Sequence, residues 1–192
     1  MNAALIVIDL IEDYFDTSIW PSSVIPFRRS ILARSTNELV YGCRSAGARV
    51  IWVRQEFDED MSDAFLHARS GGMRYAIRGT PGSRLLGEFE LSEDDETLTK
   101  RRFSAFFETR LHARLSELDV STVILAGITT AWCVRSTAVD AYQRDYEVII
   151  ASECTAAFTE AAHRESLEAM DGYIADALSN AEILHHVGIR ND

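Results

Sequence analysis

Apolar runs and helical patterns alternate along this chain. Short runs rich in β-branched residues predict buried strands, because a strand covered on both faces shows no polar alternation. The predicted strands span residues 3–8, 49–53, 96–99, 122–126, 147–151 and 181–184. Apolar residues spaced three and four apart predict helices over residues 27–46, 109–118, 131–144, 159–170 and 173–178. Strands and helices that alternate in this way build a parallel sheet with helices on both faces, so we predict an α/β fold.

Residues 54–83 interrupt the alternation. This stretch mixes charged residues with Gly71-Gly72 and a turn at residues 79–82, and it predicts a short helix near residues 62–69. Long excursions in compact domains are often lids or binding loops. We therefore expect residues 62–82 to close a pocket, either in the same chain or in a neighbouring subunit.

Composition and charge narrow the class of protein. The 192 residues are 47% hydrophobic and 26% charged, which predicts a single globular domain over residues 1–192. Nineteen basic and 30 acidic residues give a net charge of −11, which argues against nucleic acid or a membrane as partner. No apolar run reaches the ~20 residues of a membrane span. Because Asp9 and Glu12 interrupt the first apolar run and no basic region precedes it, we predict a cytoplasmic protein with reduced thiols.

Three chemically reactive residues follow the predicted strands. Asp9 ends the first strand, Lys100 ends the third, and Cys133 opens the helix after the fourth. Ligands of open parallel sheets bind at these carboxyl ends. A helix amino terminus favours thiolate over thiol, which makes Cys133 a candidate nucleophile beside an acid/base group and a cation. The plainer alternatives are a packing cysteine, a solvated turn or capping aspartate, and a surface lysine.

The other cysteines and the histidines show no such pattern. Cys43 lies on the core stripe of a helix and Cys154 follows the fifth strand, so we predict structural roles for both. The five histidines form no H-x-H, H-E-x-x-H or D-x-H pattern. We therefore predict no metal and no other cofactor.

Three segments carry the candidate residues: ALIVIDLIEDYF at residues 4–15, TKRRFSAFFETRL at 99–111 and LAGITTAWCVRSTAVDAYQRDYEVIIASECTAA at 125–157. With them the chain resembles the isochorismatase-like cysteine hydrolases, which include nicotinamidases, N-carbamoylsarcosine amidohydrolases and isochorismatases. The resemblance is in register over nearly the whole chain.

The resemblance implies a fold and a site. The fold is a three-layer α/β/α sandwich with a six-stranded, mostly parallel, doubly wound sheet. The site has Asp9, Lys100 and Cys133 as catalytic residues and a cis peptide bond between Ile128 and Thr129. The N–H groups of Thr129 and Cys133 form the implied oxyanion hole. The family also suggests a homo-oligomer, either a dimer or a tetramer.

Departures from the family pattern guide the functional prediction. Ile11 stands where the family has a glutamine, and Arg54-Gln55-Glu56-Phe57 stands where nicotinamidases carry a D-x-H metal motif. Isochorismatases cleave a vinyl ether and need no cysteine, so the presence of Cys133 favours the amide-cleaving branch. We predict a cysteine hydrolase that cleaves a C–N bond of a small amide or ureido substrate through a thioester. The alternatives are a vinyl-ether hydrolase and a non-catalytic redox or interaction protein.

Substrate contacts are predicted by position alone. The candidates are Phe15, Trp20, Arg54, Gln55, Phe57 and Trp132. Arg54 suits a substrate carboxylate or carbonyl because its guanidinium forms paired hydrogen bonds, and its alternative is an ion pair with Glu56 or Glu153. The alternative for Trp132 is ordinary packing or a contact within an oligomer.

Overall fold

The computed structural model describes residues 2–189, in which strands and helices alternate. Met1 and residues 190–192 of the predicted domain lie outside the described residues. The strands are β1 (Ala3–Ile8), β2 (Arg49–Gln55), β3 (Glu96–Lys100), β4 (Thr122–Ile128), β5 (Glu147–Ala156) and β6 (Asp176–Leu178). The helices are α1 (Ile25–Ser45), α2 (Leu66–Gly71), α3 (Leu111–Glu117), α4 (Arg135–Tyr142), α5 (Glu160–Met170) and α6 (Asn180–Ile189).

The strands form one sheet in the order β3-β2-β1-β4-β5-β6. Every neighbouring pair is parallel, so the predicted α/β fold with a six-stranded sheet is confirmed, and the sheet is parallel throughout. The strand order reverses between β1 and β4. In doubly wound sheets the ligand crevice lies at this reversal, outside the carboxyl ends of the two strands.

Successive residues of a strand point to opposite faces of the sheet, so these apolar strands present apolar side chains on both faces. Helices cover both faces. On one face Leu5 of β1 packs in a core with residues of α1 and α6. On the other face Ile6 packs in a second core with residues of α3 and α4. These two cores give the predicted three layers, and both run up to the crevice.

The carboxyl end of β4 comes very close to β1. Gly127 has a φ of 112°, and a Cβ at this position would lie 1.9 Å from the carbonyl oxygen of Ile8. Only glycine fits here without moving the backbone. This close approach brings the segment after β4 next to Asp9.

The predictions for the last elements were wrong. The stretch predicted as a helix at residues 173–178 contains strand β6, whose Ala177 pairs with Ile150 of β5. The stretch predicted as a strand at residues 181–184 lies in helix α6, which buries Ile183 and Val187. Those two residues are four apart and both pack on the core, so the buried positions of this segment follow the repeat of a helix.

Two further boundaries differ from the predictions. Strand β5 continues past residue 151 to Ala156, so Ser152, Glu153 and Cys154 lie inside the strand and not beyond its end. The predicted helix at residues 131–144 is divided into a π-helical turn (Thr130–Val134) and α4. The π-helical turn places Cys133 before α4 begins.

The excursion between β2 and β3 contains the short helix α2, a few residues later than predicted. Part of it pairs with the segment after β2, where Phe57 and Ile77 form an isolated bridge. Among residues 2–189 no helix is long and apolar enough to cross a membrane.

Candidate active site

Asp9 and Lys100 form a buried ion pair at the crevice. Asp9 follows β1 with a φ of 57°, and its N–H donates to the carbonyl of Val53 at 2.8 Å. Lys100 is the last residue of β3 and lies in register with Gln55 of β2. Its Nζ lies 2.6 Å from Oδ2 of Asp9, and both side chains are fully buried. Removing either partner would leave an isolated charge in the interior, which is strongly unfavourable.

The thiol of Cys133 lies against this pair. Nζ of Lys100 donates to Sγ of Cys133 at 3.4 Å and to the carbonyl of Arg102 at 3.0 Å. With the Asp9 carboxylate these are three partners, and an ammonium group has three protons to donate. The structure therefore brings together the three residues that the sequence analysis singled out as catalytic.

The three groups control one another's protonation. Burial opposes the charge on Lys100, but its interactions with Asp9 and Cys133 favour that charge more, and the pKa of Lys100 is raised. Burial is the largest influence on the Cys133 thiol, and it raises the pKa. Lys100 lowers this pKa and Asp9 raises it, and the net result is a pKa of about 12. The helix amino terminus predicts a thiolate at Cys133, whereas burial raises the pKa of this thiol and favours its protonated form.

The segment between β4 and α4 shapes the other side of the site. The peptide bond between Ile128 and Thr129 is cis. The carbonyl of Thr129 accepts from the N–H groups of Trp132 and Val134, at 3.0 and 3.1 Å. These bonds hold the turn that carries Cys133 against the end of β4.

Thr137 fixes Cys133 to the segment after Lys100. Its hydroxyl donates to the carbonyl of Cys133 at 2.7 Å and accepts from the N–H of Ala105 at 3.0 Å. Thr137 is fully buried. The sequence analysis missed this residue, because a threonine inside a helix gives no signal of such a bridge.

A cavity of about 550 Å³ opens onto Cys133. Most of the side chains that line it carry rings. The lining consists of Tyr14, Trp20, Phe65, His67, Tyr75, Phe103, Thr129, Trp132, Cys133 and Phe158. A thiol next to paired charges, at the wall of a mostly apolar cavity, is suited to attack an electrophilic carbon.

Comparison with known proteins assigns the family. The model of the isochorismatase domain matches residues 3–182. This chain belongs to the isochorismatase family.

A probable inactive nicotinamidase of Arabidopsis thaliana is 33% identical over 172 residues, covering 86% of each chain. The maleamate amidohydrolase of Pseudomonas putida is 29% identical over 115 residues, covering 60% of this chain and 54% of its own. The crystal structure of an isochorismatase-like hydrolase from Alkaliphilus metalliredigens matches with a TM-score of 0.79 at 25% identity, covering 97% of this chain and 99% of that one. Members of the family that resemble this chain are thus amidohydrolases, and one of them is named as probably inactive.

The predicted substrate contacts fall into two groups in this isochorismatase-family chain. Trp20 and Trp132 line the cavity, as expected of substrate-binding residues. Phe15, Arg54, Gln55 and Phe57 lie outside the lining.

Arg54 is held by the protein itself. Its guanidinium pairs with Glu56 at 3.4 Å and donates to the carbonyl of Ser83 at 3.4 Å. Of the alternatives for Arg54, the structure therefore contains the pair with Glu56. Because these partners face its charged end, Arg54 is not placed to meet a substrate in the cavity.

Of the remaining three, Gln55 and Phe57 contact residues of the lining, whereas Phe15 contacts Arg29. Gln55 is fully buried and accepts a hydrogen bond from the hydroxyl of Tyr14 at 2.9 Å. Phe57 packs edge-on against both Phe65 and Tyr75, with ring centroids 5.8 and 5.6 Å away. Phe15 is buried and lies beneath the guanidinium of Arg29.

The sequence analysis missed most of the cavity wall. Six lining residues were not predicted: Tyr14, Phe65, His67, Tyr75, Phe103 and Phe158. Phe103 and Phe158 follow the carboxyl ends of β3 and β5, which is a signal that could have found them. Within residues 2–189, no group of three or more His, Cys, Asp or Glu side chains is placed to hold a metal ion.

Proposed function

We propose that this protein is a cysteine hydrolase that cleaves a C–N bond of a small amide or ureido compound through a thioester on Cys133. One observation carries the proposal. Cys133 lines the cavity while its sulfur lies 3.4 Å from the ammonium group of the buried Lys100–Asp9 pair. Covalent attack on a carbonyl needs a nucleophile, an acid/base group and a fixed charge, and all three are present. The resemblance to an amidohydrolase supports the same reaction class.

Asp9 serves as the base of the first step. Cys133 rests as a thiol, because burial raises its pKa to about 12. As Sγ bonds to the carbonyl carbon, the thiol proton moves to the carboxylate of Asp9. Lys100 stays protonated, since its pKa is raised in this site, and its ammonium group lies 2.6 Å from Oδ2 of Asp9.

The same proton completes the reaction. The carbonyl oxygen becomes an oxyanion, which the N–H groups of Thr129 and Cys133 bind. The C–N bond then breaks, and Asp9 returns its proton to the leaving nitrogen. Water attacks the thioester, Asp9 accepts a proton from that water, and this proton finally returns to the sulfur. Loss of one oxyanion donor typically lowers kcat by about 10²–10³.

The geometry argues against a redox sensor. Oxidation of a cysteine requires thiolate character and access to solvent. Cys133 is only 4% exposed, and its pKa is raised. In a vinyl-ether hydrolase the thiol would have no role. Ammonia release by the wild-type protein and by Cys133→Ala separates that alternative from amide cleavage.

The proposed partner is a small amide or ureido molecule. Assembly into a dimer or tetramer and a cytoplasmic location remain predictions. Trp132 lines the cavity and is still 51% exposed, so it can also contact a second subunit. Sedimentation equilibrium measures the oligomeric state directly.

Ammonia release from a panel of primary amides and ureido compounds tests the proposal. We expect wild-type protein to release ammonia from at least one compound, and Cys133→Ala to lose turnover by a factor of at least about 10⁴. Circular dichroism shows whether the variant remains folded. Ammonia release retained in Cys133→Ala would overturn the role of the thiol. No ammonia release by the wild-type protein from any compound would overturn amide cleavage and favour the vinyl-ether alternative.

A further inference from the structure

The cavity wall contains no charged group that faces a substrate. Among the described lining residues there is no Lys, Arg, Asp or Glu. His67 is the one basic side chain in the lining. It is exposed, with its ring stacked on Phe65 at 5.4 Å, so water would screen any charge that it carries.

The cations near the cavity already have partners. Lys100 is occupied by Asp9 and Cys133. Arg54 pairs with Glu56, and Arg102 donates to the carbonyls of Asp63 and Arg101 at 2.9 and 2.7 Å. Arg102 lies outside the lining, with its guanidinium over the Phe65 ring at 5.8 Å. A carboxylate placed among the rings of the wall would lose its water shell, and the described lining holds no Lys or Arg that would replace it, which is strongly unfavourable.

Two clusters of rings form most of the wall. In the first, Trp20 stacks on Phe158 at 4.9 Å and on Tyr14 at 5.6 Å. In the second, Phe103 stacks on Phe65 at 4.4 Å and lies 5.3 Å from Trp132. Rings favour flat apolar or aromatic groups, which can stack against them or meet their edges.

The polar atoms of the wall are few and neutral. The hydroxyl of Tyr14 is used by Gln55, and burial raises the pKa of both Tyr14 and Tyr75, so their phenols stay protonated. Among residues 2–189 no group makes a hydrogen bond to Oγ1 of the buried Thr129. This oxygen is itself buried, so among the described residues the accessible wall offers a substrate no charged hydrogen-bonding group besides His67.

The size of the cavity sets a lower limit on the substrate. Cavities of ~300–1,000 Å³ typically hold drug-sized ligands. At about 550 Å³ this cavity lies well inside that range. A one-ring amide would leave a large part of the ring clusters without contact.

We propose that the substrate is an uncharged carboxamide whose acyl group is flat, apolar and larger than a single ring. This inference rests on the proposed function, because the amide must reach Cys133. Monoamides of dicarboxylic acids and other anionic compounds are excluded from the cavity, because its described lining holds no Lys or Arg to receive their charge.

Binding and turnover test this inference separately. Binding of 2-naphthamide, benzamide, 6-carboxy-2-naphthamide and maleamate to Cys133→Ala is measured by calorimetry. We expect 2-naphthamide to bind at least about tenfold more tightly than benzamide. The added carboxylate should weaken binding by at least about 100-fold. Ammonia release by the wild-type protein should rank the four amides in the same order.

The outcomes distinguish failure of the substrate class from failure of the function. If 6-carboxy-2-naphthamide or maleamate binds as tightly as 2-naphthamide, or more tightly, the proposed substrate class is wrong. It is also wrong if 2-naphthamide does not bind. Preferred hydrolysis of maleamate also overturns it and leaves the hydrolase function standing. If 2-naphthamide binds and the wild-type protein hydrolyses no amide in the panel, the proposed function fails and the binding preference stands.

Two phenylalanines provide a matched pair of variants. Phe103 lines the cavity, whereas Phe107 is 50% exposed and lies outside the lining. Phe103→Ala should weaken binding of 2-naphthamide about three- to tenfold and raise KM with little change in kcat. Phe107→Ala should bind it like wild type. Equal effects of the two variants would contradict a specific role for the ring clusters.

Discussion

Cys133 and Cys154 are both buried, and burial raises the pKa of both thiols to about 12, yet their neighbours differ. Sγ of Cys154 lies in strand β5 and donates to Oδ1 of Asn180 at 3.1 Å, and Asn180 donates in turn to the carbonyl of Ser35. Sγ of Cys133 faces the charged groups of Lys100 and Asp9. Burial and pKa alone therefore do not distinguish a nucleophile from a structural cysteine. The adjacent buried ion pair does.

The largest expected effect separates the two cysteines directly. Cys133→Ala should lose amide turnover by a factor of at least about 10⁴, because no other group in the site can form the thioester. Cys154→Ala should keep turnover near the wild-type value and lose stability of about 1–3 kcal/mol, because Asn180 loses its partner. Steady-state ammonia release and urea unfolding measure the two effects. Comparable loss of turnover in both variants would remove the distinction.

Asp9→Asn should change thiol reactivity and turnover in opposite directions. Besides burial, the charge of Asp9 raises the pKa of Cys133. Its removal should make alkylation of Cys133 at pH 8 faster, while turnover falls by about 10²–10⁴ because the base is gone. Peptide mass spectrometry measures the alkylation of Cys133, with that of Cys154 as an internal reference.

Asp145→Asn is a matched control for this experiment. Asp145 is exposed and has a φ of 61°, close to the 57° of Asp9, and asparagine tolerates this left-handed conformation. The control should behave like wild type in both assays. If Asp9→Asn alkylates more slowly than wild type, Asp9 does not act on the thiol as described.

Lys100→Met should destabilise the fold as well as the site. Lys100 is the only lysine in the chain, whose other 18 fixed cations are arginines. Its loss leaves the Asp9 carboxylate buried without a cation, which typically costs about 3–5 kcal/mol of stability. Urea unfolding at pH 7.5 measures this loss.

A double variant identifies the cause of that loss. Lys100→Met combined with Asp9→Asn should recover part of the lost stability, because no unpaired charge remains. The double variant should still have no turnover. A double variant as unstable as the sum of the two single variants would indicate that the two charges do not interact.

The smallest expected effect is the contribution of a single thiol to the dependence of stability on alkaline pH. Burial raises the pKa of the Cys43, Cys133 and Cys154 thiols to about 12 each. An unfolded thiol titrates near ~8.5, so the folded chain keeps protons that the unfolded chain releases. Stability is therefore complete below pH ~8.5 and falls as the pH rises towards 12, by about 1.4 kcal/mol per pH unit for each thiol.

Cys154→Ala isolates one thiol's share of this dependence. Between pH 7.5 and pH 10 the free energy of unfolding of the Cys154→Ala variant should fall by about 2 kcal/mol less than that of the wild-type protein. Urea unfolding at the two pH values measures the difference. Identical declines in the two proteins would mean that Cys154 is not protected from ionisation in the folded chain.

Sequence patterns predict the sheet well, for a physical reason. Buried parallel strands are continuous apolar runs, and the residue that follows each run lies at the same edge of the sheet. The patterns therefore place Asp9, Lys100 and Cys133 near one another, and the structure brings the three side chains into contact. The short apolar stretches at residues 173–184 were misassigned, because a few apolar residues fit a strand as well as a helix.

The cavity wall was much harder to predict. Phe65 and Tyr75 come from the excursion between β2 and β3, and their positions depend on contacts with Phe57 from a different segment. For Arg54 the sequence left open a substrate contact or an ion pair with Glu56 or Glu153, and the structure contains the pair with Glu56. The positions of Phe65 and Tyr75 do not follow from local spacing, because they depend on how the excursion folds back onto the sheet.

Direct detection of the thioester tests the central claim most sharply. Wild-type protein is mixed with 2-naphthamide, quenched in acid during turnover, and examined by intact-mass and peptide mass spectrometry. The account predicts a naphthoyl adduct on the peptide that contains Cys133, with none on those containing Cys43 or Cys154. Hydrolysis of the amide without any adduct on Cys133, together with undiminished turnover by Cys133→Ala, would contradict it.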